Sequence, residues 1–202
     1  VAQNKAEAAK WYKKAAEQGD ANAQNSLGYC YNNGEGVEKN SAKAVEWFRR
    51  SAENGNADAQ FNLGVCYANG KGVEKDSAKA VEWYKKAAEQ GQDSAQCNLG
   101  YCYKNGIGVE KDVIKATEWY QKSAEQGNCT AQYNLGCCYA NGEGVAQNKA
   151  TAVKWYQKAA EQNYANAQYN LGFCYEKGLG GLSRSKKEAL KLSLIHISEP
   201  TR

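Results

Sequence analysis

Eight cysteines and a spaced set of cations are the side chains of this 202-residue chain with chemistry to offer. Cys30, Cys66, Cys102, Cys138 and Cys174 recur every 36 residues, and Cys97, Cys129 and Cys137 lie off that spacing. Thiols can ligate metal, form disulfides or act as nucleophiles. Zinc needs clustered ligands, but there is one histidine in the chain, and the adjacent pair Cys137-Cys138 would point to different faces of a helix. No metal site, cofactor or catalytic residue is expected, because no position pairs a nucleophile with a base. The spaced cysteines read as buried thiols, since equivalent points on neighbouring helices lie about 8–10 Å apart, beyond the ~7 Å Cα limit of a disulfide. Cys137 stands one position off the spacing, so a bridge from it to Cys102 or Cys174 is the remaining disulfide candidate.

Lys14, Arg50, Lys86, Lys122 and Lys158 form a second constellation on the same 36-residue spacing. In three repeats each has an i,i+4 glutamate, Glu46, Glu82 or Glu118, and such a pair stabilises a solvated helix face by a few tenths of a kcal/mol. Lys10 and Lys154 replace that glutamate in the other two. The alternative is a strip that receives an acidic or C-terminal segment of a protein or peptide partner. Nucleic acid is not expected as a partner. The net charge is only +4, and Glu17, Glu53, Glu89, Glu125 and Glu161 run alongside the cations. Asn128-Cys129-Thr130 is a formal N-glycosylation sequon, with meaning only for a secreted chain.

The elements that carry these residues follow from the spacing. Trp11, Trp47, Trp83, Trp119 and Trp155, five Leu-Gly pairs and five Gly-x-Gly turns share one 36-residue lattice, the mark of a tandem array. Each unit reads as a helix-turn-helix. The first helix, A, follows the capping residues Asn4, Asn40, Asp76, Asp112 or Asn148. It ends at Gly19, Gly55, Gly91, Gly127 or Asn163, residue types that tolerate left-handed backbone. Its core face is read as Ala44, Trp47, Ser51 and Ala52, with the tryptophans filling the gaps between repeats. The second helix, B, is expected to start at Asn22, Asp58, Ser94, Thr130 or Asn166. Gly28 and its equivalents inside helix B each cost about 1 kcal/mol of propensity relative to alanine. A close helix neighbour is therefore expected there, with small pairs such as Ala15-Ala16 as its surface. Thr130 as a helix cap makes the sequon read as a chance occurrence.

The unit from Ala59 to Ala88, with its Ala-x-x-x-Leu-Gly, Tyr, Gly-x-Gly and Ala-x-x-Trp-x-x-x-Ala-Ala signatures, resembles the Sel-one-like repeat, a relative of the tetratricopeptide repeat. The resemblance covers residues 1 to about 192. It implies an all-α, right-handed α-solenoid of 36-residue helix-turn-helix repeats, five full and a partial sixth, with the A helices lining a concave surface. It also implies an adaptor that holds other proteins together. Cysteine stands at five positions where the family usually has an aliphatic residue. Helix A holds no cysteine, so the within-repeat bridges of cysteine-rich family members have no counterpart.

Composition agrees with a helical array. Hydrophobic residues are 42%, charged residues 24%, and there is a single proline. No apolar run approaches the roughly 20 residues of a membrane span, so no membrane insertion is expected. The chain has no methionine, and Val1–Ala6 recurs verbatim at 145–150, which reads as part of a longer array. After Gly180 the lattice slips by one residue, making Ser185 the expected cap and placing Leu192 where the tryptophan would be. Residues 193–202 hold the one histidine and the one proline and read as a non-repeat scar. The function expected is a non-catalytic scaffold for protein partners. Its alternative is a fibre subunit that self-associates end to end, extracellular and glycosylated if so, cytoplasmic if the thiols are free.

Overall fold

A computed structural model describes residues 2–190, and within them the chain is helical throughout with no strand. The helices are α1 (Ala2–Glu17), α2 (Ala21–Asn33), α3 (Ser41–Glu53), α4 (Ala57–Asn69), α5 (Ser77–Glu89), α6 (Asp93–Asn105), α7 (Val113–Glu125), α8 (Cys129–Asn141), α9 (Lys149–Glu161) and α10 (Ala165–Lys177). Odd-numbered helices are the A helices and even-numbered ones the B helices. The chain divides into two compact units, Val1–Cys102 with Gly106–Glu110, and Tyr103–Asn105 with Lys111–Arg202. In the first, α1 to α4 pack in succession and α4 packs on α5; in the second, α7 to α10 do the same. This is the α-solenoid mode of stacking, in which each helix pair buries its apolar face against the next. Leu192 and the 193–202 tail lie outside the described residues.

The A-helix ends follow the sequence. Asn40, Asp76, Asp112 and Asn148 each accept at the side chain from an amide three residues on. Gly19, Gly55, Gly91, Gly127 and Asn163 all have positive φ. Asn4 is different, because α1 already begins at Ala2. In later repeats the cap is held extended by a bond such as Asn40 N–H to Tyr31 O, 2.8 Å, to the preceding B helix. The B helices start two residues earlier than Asn22, Asp58, Ser94, Thr130 and Asn166 suggested. Asp20, Asn56, Gln92 and Asn128 are the caps, and Tyr164 sits at that position with no side-chain cap. With the left-handed residue directly before it, the cap position has no spare loop to occupy, so the reach to the third amide fixes the start. Ser185 does cap, its Oγ accepting from Glu188 N–H at 3.2 Å ahead of the helical stretch 186–190.

The cap carboxylates give an acid-dependent prediction. The Lys79 amide and ammonium hold the Asp76 carboxyl below the usual carboxylate range, and those of Lys115 do the same for Asp112. A depressed folded pKa contributes stability that is complete above the unfolded value and lost as pH falls through the folded one. Asp76→Asn with Asp112→Asn, which copies the caps at Asn40 and Asn148, should flatten part of the loss of helicity between about pH 5 and pH 2. Superimposable circular-dichroism titrations of variant and parent would refute it.

The core places a different aromatic inside from the one expected. On α3 the buried residues are Ala44, Val45, Phe48, Ser51 and Ala52, and the equivalents of Phe48 are Tyr84, Tyr120 and Tyr156, all at most 4% exposed. The tryptophan one residue earlier lies at the edge of that stripe. A step of one residue turns a helix by about 100°, so the two rings cannot both face inward. The same rings explain the glycine in helix B. A Cβ on Gly28 would stand 2.6 Å from the Phe48 ring, on Gly64 2.7 Å from Tyr84, and on Gly136 2.6 Å from Tyr156. The close neighbour is thus the aromatic of the following A helix, not the Ala15-Ala16 type of pair. In the Gly-x-Gly turn the second glycine, Gly72 for example, has φ +75 and backs directly onto the Ser41 carbonyl at the start of α3.

One buried polar series ties helices together. Gln24, Gln60, Gln96, Gln132 and Gln168 are buried, and each donates to a carbonyl near the end of its A helix, Ala16, Ala52, Ala88, Ala124 or Ala160, at 3.1–3.3 Å. Gln24, Gln60 and Gln132 are among those that also accept from the C-cap of the next A helix. Asn54 reaches Gln24 at 3.1 Å, Gln90 reaches Gln60 at 2.7 Å and Gln162 reaches Gln132 at 2.9 Å. Each of these carbonyls also accepts from the left-handed residue after its helix, as Ala16 does from Gly19 N–H at 3.1 Å, so the glutamine uses the second lone pair and ties the B helix to the end of its A helix.

Candidate binding surface

The spaced cations occupy one position on every A helix, and each lies over the tryptophan three residues before it. Lys14 Nζ is 4.3 Å from the Trp11 ring centroid, Arg50 Cζ 4.6 Å from that of Trp47, and Lys86 Nζ 4.0 Å from that of Trp83. Lys122 over Trp119 and Lys158 over Trp155 are both at 4.3 Å. An i,i+3 spacing makes these side chains neighbours on the helix surface. A cation over an indole face gains about 0.5–1 kcal/mol where it is exposed. All five cations are solvent-exposed, and the tryptophans beneath them are partly buried except Trp11. Their partner is therefore the ring rather than Glu46, Glu82 or Glu118. The glutamates of the neighbouring ladder pair elsewhere, Glu17 with Lys13 at 3.8 Å and Glu89 with Lys85 at 3.9 Å.

Holding the cation on a flat ring restricts a side chain that otherwise carries rotamer entropy of about 2 kcal/mol. The charge is presented with little left to lose on binding an anion. Charge is also concentrated on these helices, since α2 and α8 carry no charged residue and α4 only Asp58. A second contact of the same kind recurs between helices. Lys43 stands over Tyr31 and Lys115 over Tyr103 at 5.6 Å, and Lys79 over Tyr67 at 5.7 Å. The signal for it in the sequence is the tyrosine 12 residues before a lysine, which helical periodicity within one element does not reveal.

The model of the Sel1 repeat matches residues 1–20, 21–56, 57–92, 93–128, 130–164 and 165–194. The chain belongs to the Sel1 repeat family. Among solved structures it is similar to a protective antigen of uropathogenic Escherichia coli displaying an SLR fold, with 41% identity, TM-score 0.87, and coverage of 91% of this chain and 39% of that one. It is also similar to a Sel1 repeat protein from Oxalobacter formigenes, with 40% identity, TM-score 0.82, and coverage of 87% and 69%. Helicobacter pylori cysteine rich protein B shares 28% identity at TM-score 0.52, over 65% of this chain and 94% of that one. The chain spans well under half of the Escherichia coli antigen. A comparison with curated protein sequences returns no match.

The other candidate residues of the Sel1 array are placed as follows. Asn128, not Thr130, caps α8, its Oδ1 accepting from Ala131 N–H at 3.0 Å. All eight cysteines are thiols, including Cys102, Cys137 and Cys174. Burial pushes the thiols of Cys30, Cys66, Cys138 and Cys174 up and that of Cys102 to about 11, which suppresses thiolate chemistry. Cys137 meets the Tyr156 hydroxyl at 3.5 Å. Among the described residues no group of three His, Cys, Asp or Glu side chains is placed to hold a metal ion, and no helix is long and apolar enough to cross a membrane.

Proposed function

We propose that this Sel1 array is a non-catalytic scaffold whose A-helix face holds acidic segments of partner proteins. The observation that supports it is the recurrence of one cation, fixed over one tryptophan, on every A helix. Within each unit, prearranged cations one repeat apart suit a segment with several carboxylates, and the attraction is screened by salt. A single exposed ion pair contributes about 0.2–1 kcal/mol, so three reversed together should weaken binding by about tenfold or more. The test is fluorescence anisotropy of a fluorescein-labelled Glu-Ser repeat peptide on the parent and on Arg50→Glu/Lys86→Glu/Lys122→Glu. Helicity should be unchanged and binding lost. Equal affinity for both would return the ladder to an ordinary solvated face.

A second reading, end-to-end self-association, draws on Tyr12, which is 40% exposed where Phe48, Tyr84 and Tyr156 are buried. A preceding repeat in a longer chain would cover the same ring. Light scattering separates the two, since self-association predicts a mass that rises with concentration.

A further inference from the structure

Two apolar grooves open beside the B helices, one in each unit, and they are built from the same lattice positions two repeats apart. The first has a volume of about 490 Å3 and the second about 270 Å3, near the lower end of the roughly 300–1,000 Å3 typical of small-ligand sites. The floor is Ala80 and Tyr84 in one and Ala152 and Tyr156 in the other. One wall is Tyr101 or Phe173, the other Ile107 or Leu179. Tyr101 is 53% and Phe173 47% exposed. Ala68 and Ala140 line the two grooves at equivalent positions. In the repeat between them that position is Lys104, which turns to Glu143 at 2.8 Å with only 28% of its side chain exposed. Glu143 in turn stands at the lattice position of the walls Ile107 and Leu179, so two lining positions that are apolar in the grooves form an ion pair there.

The polar content of the grooves is small, and the cation comes from a different lattice position in each, Lys149 standing where the first groove has Ser77. Among the described residues, Lys75 is the one charged group lining the first and Lys149 the one lining the second. The first groove is lined by Asn69 and Asn98 and the second by Asn170; Asn98 bonds the hydroxyl of Tyr84, and Asn170 those of Tyr133 and Tyr156. A carboxamide has two donor hydrogens and an oxygen with two lone pairs, so each retains capacity for a peptide backbone. None of these residues belongs to the cation–tryptophan ladder.

We propose that each groove is a second docking site, for a peptide segment that inserts one large apolar side chain beside an acidic residue. The apolar side chain packs between the aromatic and aliphatic walls on the tyrosine floor. The neighbouring carboxylate meets Lys75 or Lys149, and the asparagine bonds the peptide backbone. This charge complementarity distinguishes the occupant from a purely apolar one, because a lone cation in an otherwise uncharged groove favours an anionic partner there.

The lattice itself supplies test substitutions that the fold accepts elsewhere in the array. Ala68→Lys and Ala140→Lys copy Lys104, Lys75→Gln copies Gln147, and Lys149→Ser copies Ser77. A random heptapeptide phage library would be selected on the full chain, and the winners measured as fluorescein-labelled peptides. Enriched peptides should share a large apolar residue next to Asp or Glu. Ala68→Lys/Ala140→Lys should weaken them by about tenfold or more, as loss of an anchoring pocket does. Lys75→Gln/Lys149→Ser should remove most of the salt dependence, and Arg50→Glu/Lys86→Glu/Lys122→Glu should leave binding in place. A library without that motif, or peptides that bind the alanine-to-lysine variant equally at an unchanged thermal midpoint, overturns the proposal. Loss of the peptides in the ladder variant overturns it by returning them to the A-helix face. A dimer in sedimentation that Ala68→Lys/Ala140→Lys dissociates overturns it in favour of a second copy.

Discussion

Tyr84→Ala should lower the unfolding free energy by about 3–5 kcal/mol, the range for emptying a large aromatic site in a core. Tyr84 is 4% exposed, lies against Gly64 of α4 and meets the Phe61 ring at a centroid distance of 6.0 Å. It joins one helix pair to the next, and an array of this kind is stabilised by such nearest-neighbour interfaces. Trp83→Ala should cost far less, about 1 kcal/mol, since it removes a partly buried ring and one exposed cation contact. Urea denaturation of the two variants beside the parent decides it. A midpoint that falls equally in both, or further in Trp83→Ala, would overturn the assignment of the tyrosine as the core residue.

Gly64→Ala should destabilise the chain although alanine is the better helix former. The propensity gain is about 1 kcal/mol. Against it stands a new methyl 2.7 Å from a buried tyrosine ring, and overpacking of this kind costs about 1–3 kcal/mol. The clash wins because the ring, at 4% exposure, can move toward the groove only by giving up its packing on the Phe61 ring. In a Tyr84→Ala background the ring is gone and the sign should reverse, Gly64→Ala then stabilising by up to about 1 kcal/mol. A double-mutant cycle measures this coupling directly. Additive effects of the two substitutions would show that the glycine has another reason to be there.

Much of this architecture is legible in the sequence because the repeat displays each structural role five times over. The left-handed ends at Gly19 through Asn163 and the A-helix caps at Asn40, Asp76, Asp112 and Asn148 can be read from local chemistry, since each acts within a few residues of itself. The B-helix caps are harder. In the second repeat both Asn56 and Asp58 are good capping types, so residue type alone does not choose between them. Trp47 and Phe48 present the same difficulty in the core, where the larger ring attracts the inward assignment and helix geometry gives it to its neighbour. The buried glutamines are not legible at all. A polar residue in a helix reads as solvent-facing until the carbonyl eight positions back that it bonds is seen. For the candidate site, the cations are visible as a lattice. Their tryptophan partners read as core residues, which hides the pairing.

The hydrogen bonds between repeats carry a further consequence for how such a gene can change length. They link residues at fixed separations, Ser51 to Ala21 and Asn54 to Gln24 at 30, Asn56 to Asn22 at 34. Removing or adding a whole 36-residue unit hands each donor an equivalent acceptor, so unequal recombination between repeats leaves the remaining bonds intact. Loss of a single residue inside a helix leaves no such substitute and displaces each partner across that junction. Selection on such a chain is therefore lenient toward copy number and strict toward single-codon insertions and deletions within its helices.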